Sequence, residues 1–125
     1  MEEELRRLPD SELEVMQALW ELEEPICRQA IEEKMAQRRS LAVTTLLTLL
    51  TRLADKGYVR IEKDGRRSRY VPLVTRREYQ AAQSRRFVEK VCGGSIPAFA
   101  GALCASGLSR EDLDELRRLL EEDGL

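Results

Sequence analysis

The side chains best suited to chemistry in this chain are hydroxyls and guanidiniums. Thr44, Thr45, Thr48 and Thr51 recur at helical spacing, which collects them on one face. Arg52 flanks that face, and its acid, Asp55, stands at the far end. Threonine can donate to phosphate or to base edges, and its methyl can touch the thymine methyl. Lys63, Arg66, Arg67 and Arg69 cluster around Asp64-Gly65, with Lys56 and Arg60 as neighbours. Such a cluster suits a nucleic-acid backbone or a narrow minor groove. Histidine is absent, which removes imidazole acid–base catalysis and most zinc sites. With no Cys-based dyad and no Gly-rich phosphate loop, no catalytic residue, metal ligand or cofactor is expected, and an enzyme is not. Glu111, Asp112 and the run Glu121-Glu122-Asp123 read as solvated helix ends.

Charge is distributed unevenly. Residues 34–77 hold 12 Lys/Arg and 3 acids, a net of +9, within a chain of net charge −2. Residues 1–33 carry 3 basic and 11 acidic groups, and residues 78–125 carry 6 and 9. A polyanion responds to the face it meets, so this distribution favours nucleic acid although the whole chain is acidic. The acidic flanks are expected to keep the remaining surface off that polyanion.

These groups need elements to position them. Helix one is expected over 11–22, opened by a Ser11/Glu14 capping box, with Leu13, Met16, Leu19 and Trp20 on one stripe and Trp20 in the core. Helix two follows over 28–37, with Cys27 at its N-cap and Ala30, Ile31 and Met35 inward. Helix three, 42–56, buries Leu46, Leu49, Leu50 and Leu53, turns its threonines outward and stops at Gly57. Leu47 fits either the outer face or the core. Residues 58–63 and 67–73 read as a hairpin turning at Asp64-Gly65. A Thr75/Glu78 capping box opens a helix to Val91, and Gly93-Gly94 breaks it. Ser95 caps a short helix through Ala105 that Gly101 weakens. Ser109 caps a last one with Leu113, Leu116, Leu119 and Leu120 on one face.

Three helices followed by a hairpin is the order of a winged helix-turn-helix, whose third helix enters the major groove. The expected class is therefore mainly α, with a winged-helix domain over 1–74 and a helical arm over 75–125. Aromatic content is only 5%, so Leu and Ala should dominate the packing. The opening MEEELRR shows no secretory signal, and the longest apolar run, 41–50, is far short of a membrane span. Cys27, Cys92 and Cys104 are odd in number and widely spaced, which fits a reduced, cytoplasmic setting. Their default reading is as small fillers or, for Cys27, a poor cap. Two alternatives stand beside DNA binding: a winged helix used for protein–protein contact, and a thiol-responsive regulator using Cys92 or Cys104.

The segments LPDSELEVMQALW, TTLLTLLTRLADKGYVRIEKDGRRSRYVPLV, EYQAAQSRRFVEKVCGGS and SREDLDELRRLLEE occur in an order and spacing that resembles the penicillinase-repressor family, the BlaI/MecI type, which also includes the copper repressors of the CopY type. The resemblance spans residues 9–122. It implies a bacterial homodimeric transcriptional repressor bound to a double-stranded dyad operator, as in antibiotic-resistance regulation. By position it implies DNA contact from Thr44, Thr45, Leu47, Thr48 and Arg52 on helix three and from Arg66, Arg67 and Arg69 on the wing. It implies dimerisation through Tyr79, Phe87, Val91, Ile96, Phe99, Leu103, Leu113, Leu116 and Leu120. In the resistance repressors a membrane sensor-protease system triggers cleavage at an Asn-Phe bond in the arm, and that system is a partner the resemblance implies; the matching positions here are Ala102 and Leu103. Leu47 replaces a long polar residue of some relatives. The chain ends DELRRLLEEDGL, without the Cys-x-Cys motifs of the copper-responsive members, so copper sensing is not expected.

Overall fold

The computed structural model describes residues 5–122, which form six α-helices, one β-hairpin and a π-helical turn. Asp123, part of the terminal acidic run, lies outside these residues. In order they are α1 (Asp10–Trp20), α2 (Arg28–Ala36), α3 (Val43–Asp55), β1 (Val59–Asp64), β2 (Arg67–Pro72), α4 (Arg76–Arg86), the π-helical turn (Phe87–Val91), α5 (Ile96–Ala105) and α6 (Arg110–Glu122). The chain divides into two compact units, residues 1–83 and 84–125.

In the first unit, α1 packs against α2 and α3, and the hairpin packs against α3, α1 and α2. The inward positions of each element meet in one core of Leu8, Val15, Met16, Leu19, Ile26, Ile31, Met35, Leu46, Leu49, Leu50, Leu53, Tyr58, Val59, Tyr70, Val74 and Tyr79. The Ser11/Glu14 capping box does not form: Pro9 is the N-cap of α1, with no side-chain cap bond. Glu14 instead accepts from Arg39 at 3.1 Å, beyond the end of α2. Cys27 does cap α2, its Sγ accepting from the Ala30 N–H at 3.4 Å. Trp20 is half-buried at the core edge, where its indole N–H donates to the Val74 carbonyl at 2.9 Å.

The first unit runs past the boundary expected at residues 74 and 75 because α4 is pinned to it. Tyr79 is buried, and its hydroxyl accepts from the Leu8 N–H at 2.9 Å. Its ring lies 5.9 Å from Trp20 and 6.0 Å from Tyr58. The Thr75/Glu78 box closes reciprocally, Glu78 N–H to Thr75 Oγ1 at 3.0 Å and Thr75 N–H to Glu78 Oε1 at 2.9 Å. The Thr75 N–H foremost, and the Thr75 hydroxyl after it, hold the Glu78 carboxyl below its ordinary pKa.

The second unit opens on the last residues of α4, which ends at Arg86, and a π-helical turn follows over Phe87–Val91. Ser95 caps α5 by accepting from Ala98 N–H at 3.0 Å, and Ser109 and Asp112 form a further reciprocal box on α6. Gly101 does not interrupt α5. Phe87 and Phe99 meet edge-to-face at 6.0 Å. Among the described residues after Tyr79, none is buried.

Candidate nucleic-acid interface

The interface begins with the way α3 ends. Lys56 is the C-cap, Gly57 takes φ +82°, and two bonds run back into the helix: Gly57 N–H to Ala54 O at 3.0 Å and Tyr58 N–H to Leu53 O at 2.9 Å. This is a Schellman closure, which a residue with a Cβ would strain. It passes the chain straight into β1, so the orientation of the wing is fixed relative to α3. Leu73 N–H to Tyr58 O at 2.8 Å closes the base of the hairpin.

With Leu46, Leu49, Leu50 and Leu53 buried, α3 turns Thr44, Thr45, Leu47, Thr48, Thr51 and Arg52 to solvent. Leu47 is therefore on the outer face, 38% exposed. Thr48 donates its hydroxyl proton to the Thr44 carbonyl and Thr51 to the Leu47 carbonyl, each at 2.9 Å. A hydroxyl has one proton, so these two threonines present lone pairs and methyls outward, while Thr44 and Thr45 keep donors to give. Val43, 42% exposed on the same arc, joins this face although it is not among the residues expected there; its place four residues before Leu47 is the signal that marks it.

The wing is an antiparallel ladder from Val59↔Pro72 to Asp64↔Arg67. Its turn therefore sits at Gly65-Arg66, one position later than expected. Gly65 has φ +64° and no non-glycine residue among those described has positive φ. Glycine at the first central position alone is the II′ pattern, whereas Asp64-Gly65 in a I′ turn would require both to be left-handed. A third strand-like segment braces the wing: Ile26 accepts from Tyr70 N–H at 2.9 Å, and Cys27 bridges to Arg69. Two residues are too short a run for period-2 alternation to show, so no sequence pattern marks this brace.

The basic block is less uniform than its charge suggests. Six of its 12 cations pair with carboxylates: Lys34 and Arg38 with Glu21, Arg39 with Glu14, Lys56 with Glu12, Arg60 with Glu62, and Arg69 with Asp64. The acidic flank thus neutralises the end of α2 directly. Lys56 holds Glu12, which is 3% exposed, and so is withdrawn from the wing cluster. Arg60 and Arg69 lie in exposed pairs worth about 0–1 kcal/mol, which a phosphate can displace. Arg76 rests over the Trp20 ring, 5.8 Å from its centroid. Among the described residues, Arg52, Lys63, Arg66, Arg67 and Arg77 make no ion pair, and all are exposed. Unneutralised charge is therefore concentrated at the wing tip, with single cations at Arg52 on α3 and Arg77 on α4.

The residues expected to dimerise separate into two groups. Tyr79 is 6% exposed inside the first core and is removed from the set, since a side chain filling its own core has no surface to offer. Phe87, Val91, Ile96 and Leu120 are exposed, at 39%, 69%, 64% and 48%. Phe99, Leu103, Leu113 and Leu116 are half-buried. Leu119, 44% exposed, extends the same α6 face. No group of three His, Cys, Asp or Glu residues suited to a metal ion occurs among the described residues, and no single helix among them is long and apolar enough to cross a membrane.

Three helices, a braced hairpin wing, an acid-poor outer helix and an unpaired basic wing tip define a winged helix-turn-helix protein of the nucleic-acid-binding class. The penicillinase repressor family model matches residues 8–122. Transcriptional regulator BlaI of Mycobacterium tuberculosis is 34% identical over 118 residues, covering 94% of this chain and 86% of the relative. Methicillin resistance regulatory protein MecI of Mammaliicoccus sciuri is 28% identical, covering 98% of this chain and 99% of the relative. The solution structure of monomeric Bacillus licheniformis BlaI in complex with the blaP half-operator is similar at a TM-score of 0.50 and 28% identity, covering 60% of this chain and 90% of that one. The chain belongs to the penicillinase repressor family.

Proposed function

We propose that this protein is a transcriptional repressor that binds double-stranded operator DNA as a homodimer, one winged helix on each half of a dyad. The observation that carries the reading is the pairing of an outward α3 face with a wing tip whose Arg66 and Arg67 have no carboxylate partner. On this reading α3 enters the major groove through Thr44, Thr45, Leu47, Thr48 and Arg52, and the wing arginines, Arg69 included, hold the phosphates. Family membership supports repression as the output, and the names of the relatives support resistance genes as the targets. The work of such a protein lies in the cytoplasm, with the DNA.

The dimer is assigned to the second unit. Its exposed Val91, Ile96, Leu119 and Leu120 present apolar surface to solvent, and a second copy can cover it by symmetry. Linking two half-site contacts raises avidity without a new kind of contact. A membrane sensor-protease system is the release partner the family suggests. Ala102 and Leu103 stand at the family's cleavage position but lie within α5, where helical backbone is a poor protease substrate.

Selection of bound DNA from a random pool at moderate salt, with sedimentation of the complex, tests the reading. The expected product is a dyad with half-sites about one helical turn apart, or a multiple of it, bound by two chains. Absence of salt-dependent DNA binding would sink it.

A further inference from the structure

The outward arc of α3 is graded from apolar to cationic. At about 100° per residue, Val43 and Leu47 form one edge, Thr51, Thr44 and Thr48 the middle, with Asp55 among them at the helix end, and Arg52 and Thr45 the opposite edge. Val43 and Leu47 are 42% and 38% exposed and sit four residues apart, which stacks them into one ridge. Neither is needed for the core, which Leu46, Leu49, Leu50 and Leu53 supply. Beside the ridge, Thr51 has spent its proton on the Leu47 carbonyl. This edge therefore offers methyl groups and acceptors, and no donor.

That chemistry restricts what the edge can meet. Phosphate oxygens and the O6 and N7 of guanine need donors, so burying this edge against them costs desolvation without a compensating hydrogen bond. The apolar group that the major groove presents is the C5-methyl of thymine. Building on the DNA-binding reading, we infer that Val43 and Leu47 form a thymine-methyl reading ridge, so that part of the operator preference comes from apolar contact while Arg52 supplies donors on the opposite edge. The charge of the surroundings argues for this occupant over a protein partner: the unpaired Arg52, Lys63, Arg66 and Arg67 lie on the elements around the ridge, and no acid within α3 other than Asp55 opposes a polyanion.

Deoxyuridine tests the ridge, because it removes the C5-methyl and leaves every hydrogen-bonding group in place. The full chain is titrated against the selected dyad duplex and against duplexes in which each thymine in turn is replaced by deoxyuridine. The expected result is a loss of roughly fourfold per half-site at one or two thymines, the worth of about one buried methylene. Leu47→Ala or Val43→Ala should abolish the loss at its own position. Equal affinity for every substituted duplex overturns the ridge while leaving DNA binding intact. Retention of the full loss in both variants overturns the assignment to these residues. Failure to bind any duplex overturns the ridge and the DNA-binding reading together. Both residues are exposed, so circular dichroism should show folded variants.

Discussion

Arg66 and Arg69 stand three positions apart on one wing but begin from different states. Arg66 has no carboxylate partner, whereas Arg69 donates twice to Asp64 Oδ2, at 2.6 and 3.1 Å. Replacing Arg66 or Arg67 with alanine should weaken binding to all sequences. Each phosphate left without its arginine should reduce the magnitude of the salt slope by about 0.9. Arg69→Ala should change it less, because part of its charge is already neutralised by Asp64; a larger effect than Arg66→Ala in the same titration would contradict this ordering. Thr48→Val makes the complementary test. It removes the outward acceptor and the bond to Thr44 but keeps the branched shape, so the preferred base sequence should change while the salt slope does not. A third residue reports on stability. Tyr58 is buried, its hydroxyl donates to the Arg6 carbonyl at 2.6 Å, and burial, with Tyr79 adding to it, pushes its pKa up to about 12. The folded value lies above the unfolded value of about 10, so this stability is fully present below about pH 10 and is lost as pH rises through about 12. Wild type should lose stability in that window, and Tyr58→Phe should flatten the alkaline part of the curve.

At the scale of elements, the Glu12–Lys56 pair ties the first turn of α1 to the C-cap of α3. Each charge also complements the dipole end at which it sits. Lys56→Ala leaves a carboxylate at 3% exposure without its partner, and should cost about 3 kcal/mol in denaturant unfolding. Glu12→Leu with Lys56→Met should restore most of that, because two apolar groups need no partner. This link is not legible in the sequence: Glu12 reads as one acid among many, and only the packing of α1 across α3 buries it. Much else is legible. The leucines of α3 specify one buried face, Gly57 marks the end of the helix, and the caps expected at Cys27, Thr75, Ser95 and Ser109 all form. Ser11 does not cap because α1 starts one residue earlier, at Asp10 with Pro9 as N-cap, which places Ser11 inside the first turn; Glu14 is left to pair with Arg39, 25 positions away. Tyr79 also departs from expectation: an aromatic at the start of a polar helix reads as surface until Leu8, Trp20 and Tyr58 are seen around it. The outer face of α3 is readable as a face, but the donor state of Thr48 and Thr51 is not, since it depends on side-chain rotamers.

For the whole molecule, the two units differ in how they are held. The first has a continuous core and should unfold at a temperature independent of concentration. The second, among its described residues, has no fully buried side chain and exposes Val91, Ile96, Leu119 and Leu120. Val91→Asp or Leu120→Asp should abolish self-association in sedimentation and lower affinity for a full dyad by about 10²–10⁴, with half-site binding unchanged; undiminished dyad affinity in a monomeric variant would refute the dimer assignment. The lack of an interior in that unit also reaches beyond binding. If a second copy completes it, then the number of molecules per cell becomes a folding parameter for one part of the chain and not for the other. Newly made, still sparse copies would expose an unfinished tail to proteolysis, so a minimum population would have to accumulate before any of it endured. Such a threshold would give silencing a delayed onset after each dilution by cell growth, set by the thermodynamics of one helical segment and independent of any inducer.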